Sequence, residues 1–152
     1  MTEALSLKGE AREVALAETQ SVHAMARDDQ MRERTAELLA AVDGGEIEGG
    51  SAELLESIFE LGLQSGRIRA YYGPGGEQAA LATLRRLPHG RLRSDSAREV
   101  TEALSALRGT QLDAVKIAAI APGAFTVAIE AGGIEASIRL DSTGARVVSL
   151  AT

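Results

Sequence analysis

Cysteine is absent from the sequence, and aromatic residues are scarce. Without a thiol, the chain cannot use thiol catalysis, Cys-ligated zinc or disulfide cross-links. Aromatic residues make up 3% of the chain and are limited to Phe59, Tyr71, Tyr72 and Phe125. The core must therefore be packed mainly from Ala, Leu, Ile and Val, and it offers few flat anchors for a planar ligand or an unstacked base.

Long apolar runs are also missing, and we expect no secretory leader. No stretch approaches the roughly eighteen consecutive apolar residues of a transmembrane helix. The opening MTEALSLKGEAREV lacks the basic and apolar regions of a signal peptide, so we expect a cytoplasmic protein. At 152 residues the chain can bury a core without a metal or a disulfide, and we expect one domain over residues 1–152.

Charge is distributed unevenly along this acidic chain, whose net charge is −6. Residues 43–66 carry six acidic groups and no basic one, whereas residues 67–98 carry seven arginines against two acids. An Arg-rich segment is typical of nucleic-acid binders, but overall acidity and the lack of stacking aromatics argue against a nucleic-acid partner. We instead expect the two segments to pair, within one chain or across a homodimer.

Residues that favour helix dominate the first two thirds of the chain. Their apolar spacing predicts helices at about 2–42, 51–66, 77–87 and 96–108. The stripe in 2–42 is narrow and is interrupted at Glu18 and at Asp28–Asp29, so one long helix and two shorter ones both fit. We interpret 1–42 as a helical arm and 51–152 as a globular body. Residues 67–72 suit either a helix or a short strand.

Glycine and proline mark the predicted boundaries of these helices. The run Gly73-Pro74-Gly75-Gly76 predicts a turn, and Pro88 predicts the end of a helix. The basic segment 89–95 would then be a loop. Ser96 and Glu99 match the capping-box pattern, which would open the last helix.

After about residue 113 the apolar period changes from 3.6 to 2, which predicts strands. Gly132-Gly133 has the composition of a two-residue hairpin loop, and this register places Phe125 opposite Leu140. All the facing pairs then share one apolar face, which Val148 and Leu150 would continue after a second turn. We predict a four-stranded antiparallel meander over 113–151, and hence an α+β fold whose apolar sheet face is core or pocket wall.

Helices followed by a meander resemble the cystatin-like and NTF2-like cone folds, at the level of topology alone. The resemblance implies an apolar pocket between sheet and helices. The residues that would line it are Phe59, Tyr71, Tyr72, Phe125, Val127 and Ile138.

No catalytic set is evident in the sequence. His23 and His89 are the only imidazoles, neither has metal-ligand spacing, and no serine stands in a nucleophile elbow. The acids at 46, 48, 53, 56 and 60 suggest a solvated helix face. We therefore predict no catalytic residue, metal ligand or cofactor, and favour a non-enzymatic role.

An alternative interpretation of the glycine-rich turn is an anion site where it opens a helix. Free N–H groups of Gly75 and Gly76, with Arg67 and Arg69 nearby, could hold an anion there. Glu77 in the first turn would compete with that anion.

These observations favour a non-catalytic, homo-oligomerising protein-interaction domain. Association would use the N-terminal helix or the acidic and basic segments. The alternative is a small-molecule-binding or enzymatic cone-fold domain with an apolar pocket between sheet and helices. Neither a substrate nor a pathway follows from the sequence.

Overall fold

A computed structural model describes residues 3–152 of the chain. Five helices, a short 3₁₀ turn at Ser105–Leu107 and four strands follow one another, which confirms the predicted α+β class with a C-terminal antiparallel meander. The helices are α1 (Gly9–Met25), α2 (Asp29–Gly44), α3 (Gly49–Gln64), α4 (Arg67–Leu84) and α5 (Pro88–Leu104). The strands are β1 (Leu112–Ala121), β2 (Ala124–Ala131), β3 (Ile134–Asp141) and β4 (Gly144–Ala151). The chain divides into two compact units, the first ending at Gly90 and the second beginning at Arg91.

The predicted helix 2–42 is two helices with an extended segment before them. Asp28 separates the two, because its side chain accepts a hydrogen bond from the backbone N–H of Met31 and caps α2. Ahead of α1, Leu5 exchanges two backbone hydrogen bonds with Ile47. The chain at Leu5 is therefore tied to the segment that joins α2 and α3.

The first unit has a core made almost entirely of aliphatic side chains from α1 to α4. Its largest buried members include Val14, Leu38, Phe59 and Ile68. Both α1 and α2 contribute side chains to this core. The division of the chain into a helical arm over 1–42 and a body over 51–152 stays a prediction. Among residues 3–152, no helix is long and apolar enough to cross a membrane.

Residues 67–72 are helical, and the predicted turn at 73–76 is a kink inside α4. Gly73 has φ 72° and ψ −173°, a conformation that only glycine adopts readily, and Pro74 begins the second helical stretch. The predicted helix 77–87 therefore starts too late, and α4 ends at Leu84.

Pro88 begins α5 instead of ending a helix. A proline in the first turn lacks an N–H that would have no helical partner there. The N–H groups of His89 and Gly90 donate to the carboxylate of Glu56, at 3.3 and 2.9 Å, so a side chain from α3 caps α5. Segment 89–95 is consequently helical, not a loop. The capping-box prediction is also wrong, because Ser96 lies inside α5 and donates to the carbonyl of Arg93.

The second unit contains the sheet, in the order β1-β2-β3-β4. Its β2–β3 hairpin has the predicted register, with Phe125 opposite Leu140. In β4 the register shifts by one residue, so Val147 and not Val148 lies opposite Ile138, while Leu150 lies opposite Ala136. The extra residue is a β-bulge, which alternation alone does not reveal.

Gly90 is the position where the first unit tolerates a side chain least. A Cβ there would lie 1.8 Å from the carbonyl oxygen of Leu84. We expect Gly90→Ala to lower the free energy of unfolding by about 1–3 kcal/mol or more, because backbone must move. The control is Gly50→Ala in α3, where a Cβ would meet nothing within 4 Å. It should be neutral or gain about 0.5–1 kcal/mol. Urea unfolding followed by circular dichroism measures the free energy of unfolding of both variants. Equal changes in the two would contradict the close approach of Gly90 to Leu84.

Candidate functional site

The first unit contains an apolar pocket of about 460 Å³, within the size range of small-molecule sites. Its walls come from α1, α2, α3 and the beginning of α4. The apolar lining residues are Val22, Met25, Met31, Leu54, Ile58 and Leu61. Polar groups also line it, and Glu18 and Arg67 are the charged ones.

Glu18 is the most deeply buried charged group of this pocket, with 3% of its surface exposed. A buried carboxylate is costly unless it is paired and hydrogen-bonded. Its Oε1 accepts a hydrogen bond from the hydroxyl of Tyr72 at 2.9 Å, and Nε of Arg67 lies 3.5 Å from the same oxygen. Within residues 3–152, Oε2 has no hydrogen-bond donor, so the carboxylate retains one acceptor.

Arg67 is held on two sides. Its guanidinium lies 5.5 Å from the ring centroid of Tyr71, a cation–π distance, and its Nε faces Glu18. That Nε is buried and finds no hydrogen-bond acceptor in the described part of the chain. The pair with Glu18 is therefore held by charge rather than by a well-formed hydrogen bond.

Tyr72 has an altered acidity because of this environment. Burial, followed by the hydrogen bond to Glu18 and the charge of that carboxylate, raises the pKa of Tyr72 from 10.0 to about 12. At neutral pH the phenol therefore stays protonated and donates to Glu18. Tyr72 does not itself line the pocket and contributes through its hydrogen bond to Glu18.

Gly62 lets α3 approach this cluster. A Cβ at Gly62 would lie 2.7 Å from Cδ1 of Ile68 and 3.3 Å from Oε2 of Glu18. The absence of a side chain thus leaves room for the carboxylate beside α3.

A second buried carboxylate, Glu56, is structural. Besides capping α5, its Oε2 lies 2.8 Å from Nδ1 of His89. Both oxygens are therefore occupied by groups of the chain itself. The prediction that the acid at 56 lies on a solvated helix face is wrong, because Glu56 is 2% exposed.

The six residues predicted to line one pocket are distributed over both units. In the first unit, Phe59 is core, Tyr71 is exposed and Tyr72 is partly buried. In the second unit, Ile138 is buried while Phe125 is partly exposed. Val127, also in the second unit, is partly buried. The predicted pocket between sheet and helices stays a prediction.

The groups predicted to hold an anion face carboxylates of the chain itself. Arg67 pairs with Glu18, and Arg69 lies 3.9 Å from Glu77. A Cβ at Gly75 would lie 3.0 Å from a carboxylate oxygen of Glu10. A bound anion would have to compete with these acids, so the anion site also stays a prediction.

In the sequence, Glu18 is visible only as an interruption of an apolar stripe. That interruption was the available signal, since a single acid on an otherwise apolar helix face is buried if the face is buried. Its partners, at positions 67 and 72, are distant in the chain and could not be inferred from spacing.

Comparisons with protein families, with curated proteins and with solved structures found no match. The function of the chain therefore has to be inferred from its own geometry.

The raised pKa of Tyr72 makes stability fall with alkaline pH. Between its ordinary pKa of 10.0 and about 12, the unfolded chain loses the phenolic proton while the folded chain keeps it, so unfolding becomes easier as pH rises. We expect Tyr72→Phe to remove this component. Urea unfolding at several pH values from 9 to about 12 measures it. If the free energy of unfolding changed with pH equally in the wild type and in Tyr72→Phe, the raised pKa would not belong to Tyr72. The matched control is Tyr71→Phe.

Proposed function

We propose that the chain is a non-catalytic interaction domain that self-associates through β1. The observation that carries this proposal is that β1 has apolar residues on both faces, yet forms the edge of the sheet with nine of its ten residues exposed. A cytoplasmic location stays a prediction.

The composition of β1 is typical of a strand inside a sheet. From Ala114 to Ala121, Lys116 is the only charged or polar side chain. Val115 and Ile117 lie on one face, and Ala114 and Ala118 lie on the other. Strands covered on both faces have such continuous apolar sequences, whereas a strand beside water normally alternates. Ile117 is nevertheless 70% exposed.

The two edges of the sheet differ in how well they are protected. Edge strands carry unpaired N–H and C=O groups, and proteins blunt them with bulges and charges. The bulge in β4 interrupts that edge near its middle, between the partners of Ser137 and Ile138. The irregularities of β1 lie toward its ends, which leaves a regular segment from Ala114 to Ala119.

The apolar face next to β1 extends the exposed surface. Phe125 and Leu140 form a facing pair on this face, and both are partly exposed, as is Leu150 in β4. Buried residues on the same face, Ala136 and Ile138, show that only part of it is covered. The apolar surface available to a partner is thus larger than one strand.

A second copy of the chain is the partner that fits best. An open edge is satisfied by another extended strand, and an identical copy brings the same regular, nearly uncharged segment. Association through the N-terminal helix or through the acidic and basic segments, as expected from the sequence, has less support. The apolar stripe of α1 contributes to the core of its own unit, and Arg67, Arg69 and Arg98 pair with acids outside 43–66.

A lysine at the centre of the edge should prevent this association. We expect the wild-type chain to sediment as a dimer and Ile117→Lys as a monomer. The added charge would be buried in the pair, which should weaken association about a hundredfold or more. Analytical ultracentrifugation over a range of concentrations measures both species.

The matched control is Val148→Lys, a comparably exposed valine at the bulge of the opposite edge. It should remain dimeric, and circular dichroism should show that both variants are folded. A monomeric wild-type protein would refute the proposal. A folded Ile117→Lys variant that still dimerises would refute the assignment to β1.

A further inference from the structure

We propose that the pocket of the first unit binds a neutral amphipathic molecule, namely a medium-length aliphatic chain that ends in a primary carboxamide. The inference is independent of self-association through β1. It depends on the polarity of the pocket and on the charges at its polar end.

The pocket has a polar and an apolar end. Glu18 lies beside Gly62 and pairs with Arg67, and Ser65 stands between Gly62 and Arg67 in the chain, so three of the four polar lining side chains lie on or near this segment. The fourth, Ser57, donates its hydroxyl to the carbonyl of Glu53 within α3. Seven residues further along α1, Met25 lines the other part of the pocket, together with Met31 from α2. Seven residues of helix span about 10 Å. A ligand that follows α1 would therefore place a polar head at Glu18 and an aliphatic tail toward the methionines.

The charges at the polar end select a neutral head. Glu18 and Arg67 already compensate one another, so a carboxylate or an ammonium group would add an unbalanced charge to a mostly apolar site. A head that both donates and accepts hydrogen bonds does not have this cost. The free Oε2 of Glu18 can accept from an amide NH₂, and the terminal nitrogens of Arg67 can donate to its carbonyl oxygen.

The apolar part of the pocket suits a flexible chain better than a rigid ring. Methionine side chains adapt to the shape of what they contact, and Met25 is largely exposed. Among residues 3–152, no aromatic side chain on which a planar ligand could stack lines the pocket. An aliphatic tail would cover the exposed thioether and leucine surface at the mouth of the pocket.

Three probes with the same tail test this inference. Octanamide, octanoate and octylamine are titrated into the full chain at neutral pH, and binding is measured by isothermal titration calorimetry. We expect saturable binding of one octanamide per chain, about tenfold tighter than either charged probe. In Glu18→Gln the negative charge is lost and Arg67 is left uncompensated, so octanoate should become the preferred probe.

Glu56→Gln is the matched control, since it removes the other buried carboxylate of the same unit without touching the pocket. It should leave the order of the three probes unchanged. If Glu18→Gln does not fold, Arg67→Gln serves instead, and there octylamine should gain. No saturable binding to the wild type would overturn the proposal. The same preference in the wild type and in the charge variants would also overturn it, because that result indicates adsorption to apolar surface only.

Discussion

A single buried carboxylate organises much of the first unit. In a core of aliphatic side chains, Glu18 must be paired, and it finds its partners Arg67 and Tyr72 on α4. This requirement holds α1 against the first stretch of α4, and α3 can approach only because residue 62 is glycine. The kink at Gly73 then redirects the rest of α4. Gly76 has to lack a side chain, since a Cβ there would lie 2.3 Å from that of Tyr72.

Glu56, the second buried carboxylate, caps a helix. The first N–H groups of a helix need acceptors, and α5 begins at a proline with no local capping side chain. A carboxylate from α3 supplies both acceptors and also contacts His89. Two glutamates on two helices thus have opposite consequences. Both oxygens of Glu56 are satisfied by the chain, whereas Glu18 lines a pocket and its Oε2 has no hydrogen-bond donor among residues 3–152.

The second unit is governed by the edges and faces of its sheet. The unit leaves part of its apolar surface exposed, and β1 has exposed apolar residues on both of its faces. Unpaired backbone groups and exposed apolar surface at such an edge favour association with another chain. The self-association proposed for this protein follows from that imbalance and requires no catalytic group.

Structure that depends on neighbours in the chain could be predicted from the sequence. The β2–β3 hairpin was predictable in detail, because Gly132-Gly133 and the alternation of residues on either side agree on one register. The burial of Glu18 and Glu56, the helical start at Pro88 and the exposure of β1 could not be predicted in this way, because they depend on how the elements pack. Each of these depends on groups far apart in the chain or on which strand lies at the edge. Local propensity and spacing do not show which distant residues come into contact, so the candidate site could be recognised only from the packed helices.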